Sequence, residues 1–374
     1  MGADLATLFN DFDRGRLSRR QLLMALGLAV AVRPASAFAQ GQCGGARAGS
    51  PDCDTTPAKL PFEATGWKTV LLDHFSCQAA DYPKEAAYYA ALMNWKIRSD
   101  DGKQAVLDIG DWGGLILRGG YVAPPPAPAG DAAAAGRAGG RGGGAGAPRA
   151  PRLAAFDNFC WGVEPWDAKT IEAELRKRGL TPVADNHGHD FQSFHVKDPD
   201  GFDLQISNGN RKNRRQGAAN GKTSAPAPFE PTNWKSIWLD HISFEVSNYK
   251  ETVAFYTALL GWKPGKDEGS QNQCEIGDVG DIIIRHGFAG NRGGGADATP
   301  PARRATMGHI AFGITPFDPD QVQAELEKRG LTARVDTGGR GDIHTAAYKS
   351  YHTTTPNGYD LQISATTRAT RSPA

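Results

Sequence analysis

The chain has 374 residues, 42 basic and 41 acidic side chains, nine histidines and five cysteines. That length suits two ordinary domains with full cores. A formal net charge of +1 provides no electrostatic footprint for nucleic acid or an anionic membrane, so the expected partner is a small molecule.

Residues 1–39 have the layout of an export signal: Arg19-Arg20, an apolar run from Leu22 to Val32, then Ala35-Ser36-Ala37-Phe38-Ala39. The eleven residues of that run are too few to span a bilayer. The paired arginines resemble a twin-arginine signal, which implies the twin-arginine export machinery as a partner and a periplasmic or extracellular location. Residues 40–66 form a leader linker, in which Cys43 and Cys53 could pair under oxidising conditions. Cys77, Cys160 and Cys274 lie in apolar strand-like segments and are expected to be buried packing residues; no CxxC zinc spacing occurs.

From residue 67 the chain repeats itself. Trp67-Lys68, Leu72-Asp73-His74, Tyr82 and Trp95 recur 167 positions later as Trp234-Lys235, Leu239-Asp240-His241, Tyr249 and Trp262, and Arg118 recurs as Arg285. A constant displacement over this span marks a duplicated folded unit. Each copy divides further into two modules: residues 67–120 and 155–207 in a first domain of 67–207, then 234–288 and 305–364 in a second domain of 234–364. Residues 208–233 link the domains and 365–374 form a tail. The bridge from Tyr121 to Arg152 is mostly Pro, Ala, Gly and Arg and cannot bury a core, and its counterpart from Gly287 to Arg304 is shorter but equally polar and glycine-rich.

Local signals place the elements. Ser236 to Val246 alternates as a strand, and Tyr249 to Leu260 has helical apolar spacing closed by Gly261-Trp262. In the fourth module, Gly308 to Ile314 forms a strand. Asp318-Pro319 then caps a helix carrying Val322 and Leu326 and ending at Gly330. The matching second-module residues are Asn158 to Val163, Asp167, Ile171, Leu175 and Gly179.

A βαβββ module used four times, in pairs, with Leu-Asp-His, Gly-His-Ile-Ala-Phe and Pro-Asn-Gly-Tyr-Asp-Leu-Gln in the second copy, resembles the vicinal oxygen chelate superfamily. That superfamily includes glyoxalase I, extradiol ring-cleaving dioxygenases and bleomycin- and fosfomycin-resistance proteins. The resemblance implies an α+β fold of four modules paired into two cupped sheets, each cup facing one divalent metal. It implies His241 and His309 as ligands and Gln362 as the third, where the family has a glutamate. In the first domain the corresponding residues are His74, Asn158 and Gln205, an incomplete set.

The wider extradiol pattern falls on His344, Tyr351, His352, Pro356, Gly358 and Gln362, and in the first copy on His187, Phe194, His195, Pro199, Gly201 and Gln205. It implies His344 as the acid/base or oxygen-contacting group and His352, where the family usually has a tyrosine, as a substrate contact. The implied metal is Fe(II), with Zn(II), Mn(II) or Ni(II) as alternatives. The expected function is an extradiol-type dioxygenase acting on an aromatic or vicinal-oxygen substrate through the second domain. The alternatives are a non-enzymatic small-molecule binding protein and a glyoxalase-like lyase or isomerase. Glyoxalase chemistry fits less well, because Asp281 to His286 offers no mid-strand carboxylate.

Overall fold

A computed structural model describes residues 56–122, 151–185, 190–213, 221–286, 304–336 and 350–365. The export signal, the Cys43 and Cys53 pair, His187 and His344 lie outside the described residues. Among the described residues, no helix is long and apolar enough to cross a membrane.

The chain from Thr55 onward is one compact unit that holds both copies. In the first copy the elements are β1 (Lys68–Ala79), α1 (Tyr82–Met93), β2 (Lys96–Asp100), β3 (Gln104–Ile109), β4 (Gly113–Arg118), β5 (Ala154–Glu164), α2 (Ala168–Lys177), β6 (Val183–Ala184), β7 (Ser193–Lys197) and β8 (Asp203–Ser207). The second copy repeats them as β9 (Lys235–Val246), α3 (Tyr249–Leu260), β10 (Lys263–Asp267), β11 (Gln271–Ile276), β12 (Gly280–His286), β13 (Ala305–Thr315), α4 (Pro319–Lys328), β14 (Arg334–Val335), β15 (Ser350–Thr354) and β16 (Asp360–Ser364). The expected α+β class and the four βαβββ modules are both present.

Each copy forms one eight-stranded mixed sheet, in the orders β2-β3-β4-β1-β5-β8-β7-β6 and β10-β11-β12-β9-β13-β16-β15-β14. The first strands of the paired modules, β1 with β5 and β9 with β13, run antiparallel at the centre, and each is flanked by the last strand of its own module in parallel. Strand alternation therefore puts one side chain in two from four central strands onto the same face.

The helices differ in how much of their circumference is covered. In α2 and α4 only Ile171 and Leu175, or Val322 and Leu326, are buried, the single stripe of a helix lying on one sheet. In α1 and α3 most positions are buried, because each lies between its own sheet and the other copy. Each of the four starts with a side-chain cap: Asp81, Asp167, Asn248 and Asp318 accept hydrogen bonds from backbone N–H groups three residues on. Gly261 ends α3 in the left-handed region at φ 68°, where a side chain would be strained.

The two copies dock reciprocally. Trp95 Nε1 donates to Ser236 Oγ at 2.8 Å, and Trp262 Nε1 donates to Thr69 Oγ1 at 3.0 Å. The turn before β8 sends Asp198 to Tyr256 OH (3.1 Å) and Asp200 to Thr252 Oγ1 (3.0 Å) on α3. The turn before β16 sends Asn357 to Glu85 Oε2 (2.8 Å) on α1. Each contact thus buries a carboxylate, on the turn in one case and on the helix in the other. The repeat also extends upstream of Trp67: Arg178 donates to Glu63 O and Arg329 to Glu230 O, both at 2.9 Å, fixing the matching segments from Pro61 and Pro228.

Candidate functional site

Register places the second-copy residues in two adjacent rows on one face. His241 on β9 is opposite Ala311 on β13, which is opposite Gln362 on β16, which is opposite His352 on β15. The next row is Ser243, His309, Asp360 and Thr354. Four of the five residues expected from the sequence, His241, His309, His352 and Gln362, therefore share the cup; the fifth, His344, is not described.

His241 Nε2 and His309 Nε2 lie 2.9 Å apart, with their rings inclined at 79°. Burial, followed by the neighbouring His241, His352, Arg285 and Arg152, holds His309 well below the usual imidazole range, so it is neutral and keeps a lone pair. Behind His241, its Nδ1 meets Asp240 Oδ1 at 3.3 Å, and Ser364 Oγ donates to Asp240 Oδ2 at 2.6 Å. The extra residue of a bulge at Asp240 makes this contact available, since Ala311 and Phe312 pair with His241 and Leu239. A carboxylate on Nδ1 fixes the tautomer and aims Nε2 into the cup.

Gln362 is fully buried. Its Nε2 donates to Ser350 Oγ at 2.8 Å and to Asp336 Oδ2 at 3.0 Å, while its Oε1 has no hydrogen-bond partner. Flipping the amide would set oxygen against the Asp336 carboxylate, so the orientation is dictated by its partners. A buried amide oxygen without a donor, beside two imidazoles with converging Nε2 atoms, fits a divalent cation.

Asp360 is the residue that the sequence reading missed. Ligand-type atoms of His309, His352 and Asp360 all lie within 4.8 Å of one another. Asp360 Oδ1 contacts His352 Nδ1 at 3.1 Å and accepts from Arg334 at 2.8 Å. A carboxylate thus stands in the row adjacent to Gln362. Strand alternation could have found it, because Asp360 and Gln362 share a face with Leu361 between them.

Farther along the cup, Arg285 on β12 is half-buried opposite Glu245 on β9. Burial lowers the Arg285 guanidinium and raises the Glu245 carboxyl, and each charge partly offsets the effect on the other. In the first copy, the equivalent Arg118 donates to Asp157 at 2.6 Å. The second copy has Gly308 at the position of Asp157, and a side chain there would meet Glu245 Oε1 at 3.1 Å and Ser243 Oγ at 3.2 Å.

The first cup is wired differently. Asn158 replaces the second histidine, and its Nδ2 donates to Asp203 Oδ2 at 3.2 Å. His195 Nδ1 meets Asp203 at 2.8 Å and its Nε2 meets Asp185 at 3.2 Å. Burial opposes protonation of His195, but hydrogen bonds and charge from Asp203 and Asp185 outweigh it and raise the imidazole. Both of its nitrogens are therefore tied to carboxylates, which makes it an ion-pair residue of the cup wall. Cys77, Cys160 and Cys274 are buried free thiols, as expected, and burial pushes each above the ordinary thiol range.

Residues 238–363 match the family described as the Glyoxalase/Bleomycin resistance protein/Dioxygenase superfamily. No curated protein sequence matches the chain. Among solved structures, the chain is similar to the Mn(II)-bound glyoxalase from Novosphingobium aromaticivorans at 14% identity and TM-score 0.50, covering 80% of this chain and 82% of that one. It is similar to the 2,3-dioxygenase LapB from Pseudomonas sp. KL28 at 14% identity and TM-score 0.51, covering 79% and 92%. It is also similar to homoprotocatechuate 2,3-dioxygenase from Brevibacterium fuscum in complex with 3,4-dihydroxyphenylacetate, at 14% identity and TM-score 0.52, covering 84% of each chain. Identities this low speak for the fold alone. The family match thus falls on the second copy, and the first copy forms an eight-stranded sheet of the same strand order.

Proposed function

We propose that the second cup holds one divalent metal, Fe(II) in the favoured reading, and acts as an extradiol-type dioxygenase on an aromatic substrate with vicinal oxygens. The observation that carries this reading is the 2.9 Å approach of His241 Nε2 to His309 Nε2 beside the unpartnered Oε1 of Gln362. These three residues would hold the ion, with Asp360 as the nearby balancing charge. When bound, the metal supplies Lewis acidity towards vicinal oxygens and, as Fe(II), reactivity with dioxygen.

The surrounding residues do the rest. His352 is oriented through Nδ1 by Asp360, leaving Nε2 to take or return the proton of a substrate hydroxyl. Arg285 supplies a positive charge at one side of the cup, suited to a substrate with an anionic substituent such as a carboxylate.

Metal analysis and oxygen uptake test the proposal together. Purified protein should carry about one Fe(II) per chain in the second cup and consume oxygen with a panel of catechols. Both should be lost in the His241→Ala, His309→Ala double variant. Unchanged metal in that variant, or oxygen uptake without metal, would overturn the reading.

Gln362 favours a second reading, since a neutral amide in place of a carboxylate suits a cup that binds a ligand without turning it over. Tight catechol binding with no oxygen uptake by the iron-loaded protein would select it. Anaerobic turnover would instead point to the lyase or isomerase alternative. Arg19-Arg20 and the apolar run after them support export through the twin-arginine machinery, and a reporter fused behind residues 1–39 should leave the cytoplasm only while both arginines are present.

A further inference from the structure

The two cups carry different donors on the strand facing the repeated histidine. At the two inward positions of the strand facing the repeated histidine, the second copy has His309 and Ala311, and the first copy has Asn158 and Cys160. His74 pairs directly across the sheet with Cys160, in the same register as His241 with Ala311. The donor in the first copy thus stands one inward position along β5 from its place in the second, directly opposite the histidine and not diagonal to it, where side chains lie closest.

Three ligand-type groups meet there. Atoms of Asp73, His74 and Cys160 lie within 4.8 Å of one another, and Asp73 Oδ1 is 2.7 Å from His74 Nδ1. That contact fixes the tautomer and leaves Nε2 as the free donor, as Asp240 does for His241. A further observation points to a missing occupant: Asn158 is buried on the same face, and its Oδ1 has no hydrogen-bond partner although its Nδ2 is engaged by Asp203. The His195 imidazole, held at both nitrogens by carboxylates, takes no part.

We propose that the first cup is a second metal site, of different chemistry from the first, in which Cys160 and His74 bind a thiophilic divalent ion of the Zn(II) class and Asp73 positions His74. Thiolate and imidazole together select such an ion over the hard cations that prefer oxygen donors. Binding replaces the thiol proton by the metal, and the proton leaves to solvent. The chain would then carry an oxygen- and nitrogen-lined centre in one cup and a sulfur-containing one in the other.

Co(II) is the probe, because thiolate coordination gives it a charge-transfer absorption that nitrogen and oxygen ligands do not. Full-length protein carrying Cys43→Ser and Cys53→Ser, stripped by chelator and reloaded with Co(II), should show that band. It should vanish in Cys160→Ala and persist in His309→Ala, which separates this site from the second cup. Ala311 at the matching position indicates that the sheet accepts alanine there. Should Cys160→Ala still fail to fold, His74→Gln decides, with an expected loss of Co(II) affinity of about tenfold or more, since each 1.4 kcal/mol is tenfold. Absence of the band in the parent protein, its persistence in Cys160→Ala, or unchanged affinity in His74→Gln would overturn the proposal.

Discussion

Arg285 shows how one substitution elsewhere changes the use of a repeated residue. Its first-copy equivalent, Arg118, is held by Asp157 at 2.6 Å, whereas Gly308 leaves Arg285 without that partner in the cup where the two imidazoles converge. Arg285→Ala should raise KM for a carboxylate-bearing catechol by about tenfold, equivalent to 1.4 kcal/mol. It should leave metal content unchanged and affect a neutral catechol less; equal effects on both substrates would remove Arg285 from substrate recognition. At this scale the sequence was legible where residue type and spacing coincide, as for His241, His309, His352 and Gln362. It was not legible for Asp360, because the family pattern places its ligand at position 362 and not at the neighbouring inward position. The burial of Cys160 was legible from its apolar strand, but its place opposite His74 was not, because cross-strand register joins residues far apart in the chain.

Among the elements, the helix boundaries were the clearest feature in the sequence. Tyr249 to Leu260 and the Asp318-Pro319 start agree with α3 and α4, since an Asn or Asp cap, a first-turn proline and a closing glycine are local signals. Asp318 accepts from Gln321 N at 2.9 Å on an exposed helix that buries only Val322 and Leu326. Asp318→Ala should therefore lower stability by about 1 kcal/mol, read as a lower denaturation midpoint, with little change at the cup. What local signals could not give is the difference between α1 and α2. Both have apolar residues at helical spacing, but α1 is covered on nearly every side because the other copy packs over it, and that contact joins residues far apart in the chain.

The whole molecule carries a pH dependence in its docking surfaces. Burial pushes the Asp198 carboxyl up from 3.8 to about 6, despite hydrogen bonds from Phe202 and Asp200, and Glu85 is raised in the same direction by burial. The folded state thus holds the Asp198 proton through a range where the unfolded chain has released it, so stability falls as pH rises from about 4 to about 6. The cost for Asp198 above that window is about 3 kcal/mol, because each tenfold difference in proton affinity between the folded and unfolded chain corresponds to about 1.36 kcal/mol. Asp198→Asn keeps an acceptor for the two backbone N–H groups and removes the charge. Denaturation midpoints of the variant should vary less between pH 4 and pH 7, and an unchanged slope would exclude Asp198 as the cause.

Asn357, clamped by Glu85 of the first copy, stands just ahead of Asp360 and Gln362 in the strand that completes the second cup. The half with the incomplete histidine set therefore helps to fix where the other half begins its last strand. Such a duplication does not leave a spare copy to drift freely. The first copy has Asn158 where the second has His309, yet helix α1 holds the turn before the second copy's last strand through Glu85 and Asn357, so a change in α1 acts on both halves. Tolerance to substitution should follow the docking surface rather than the domain boundary.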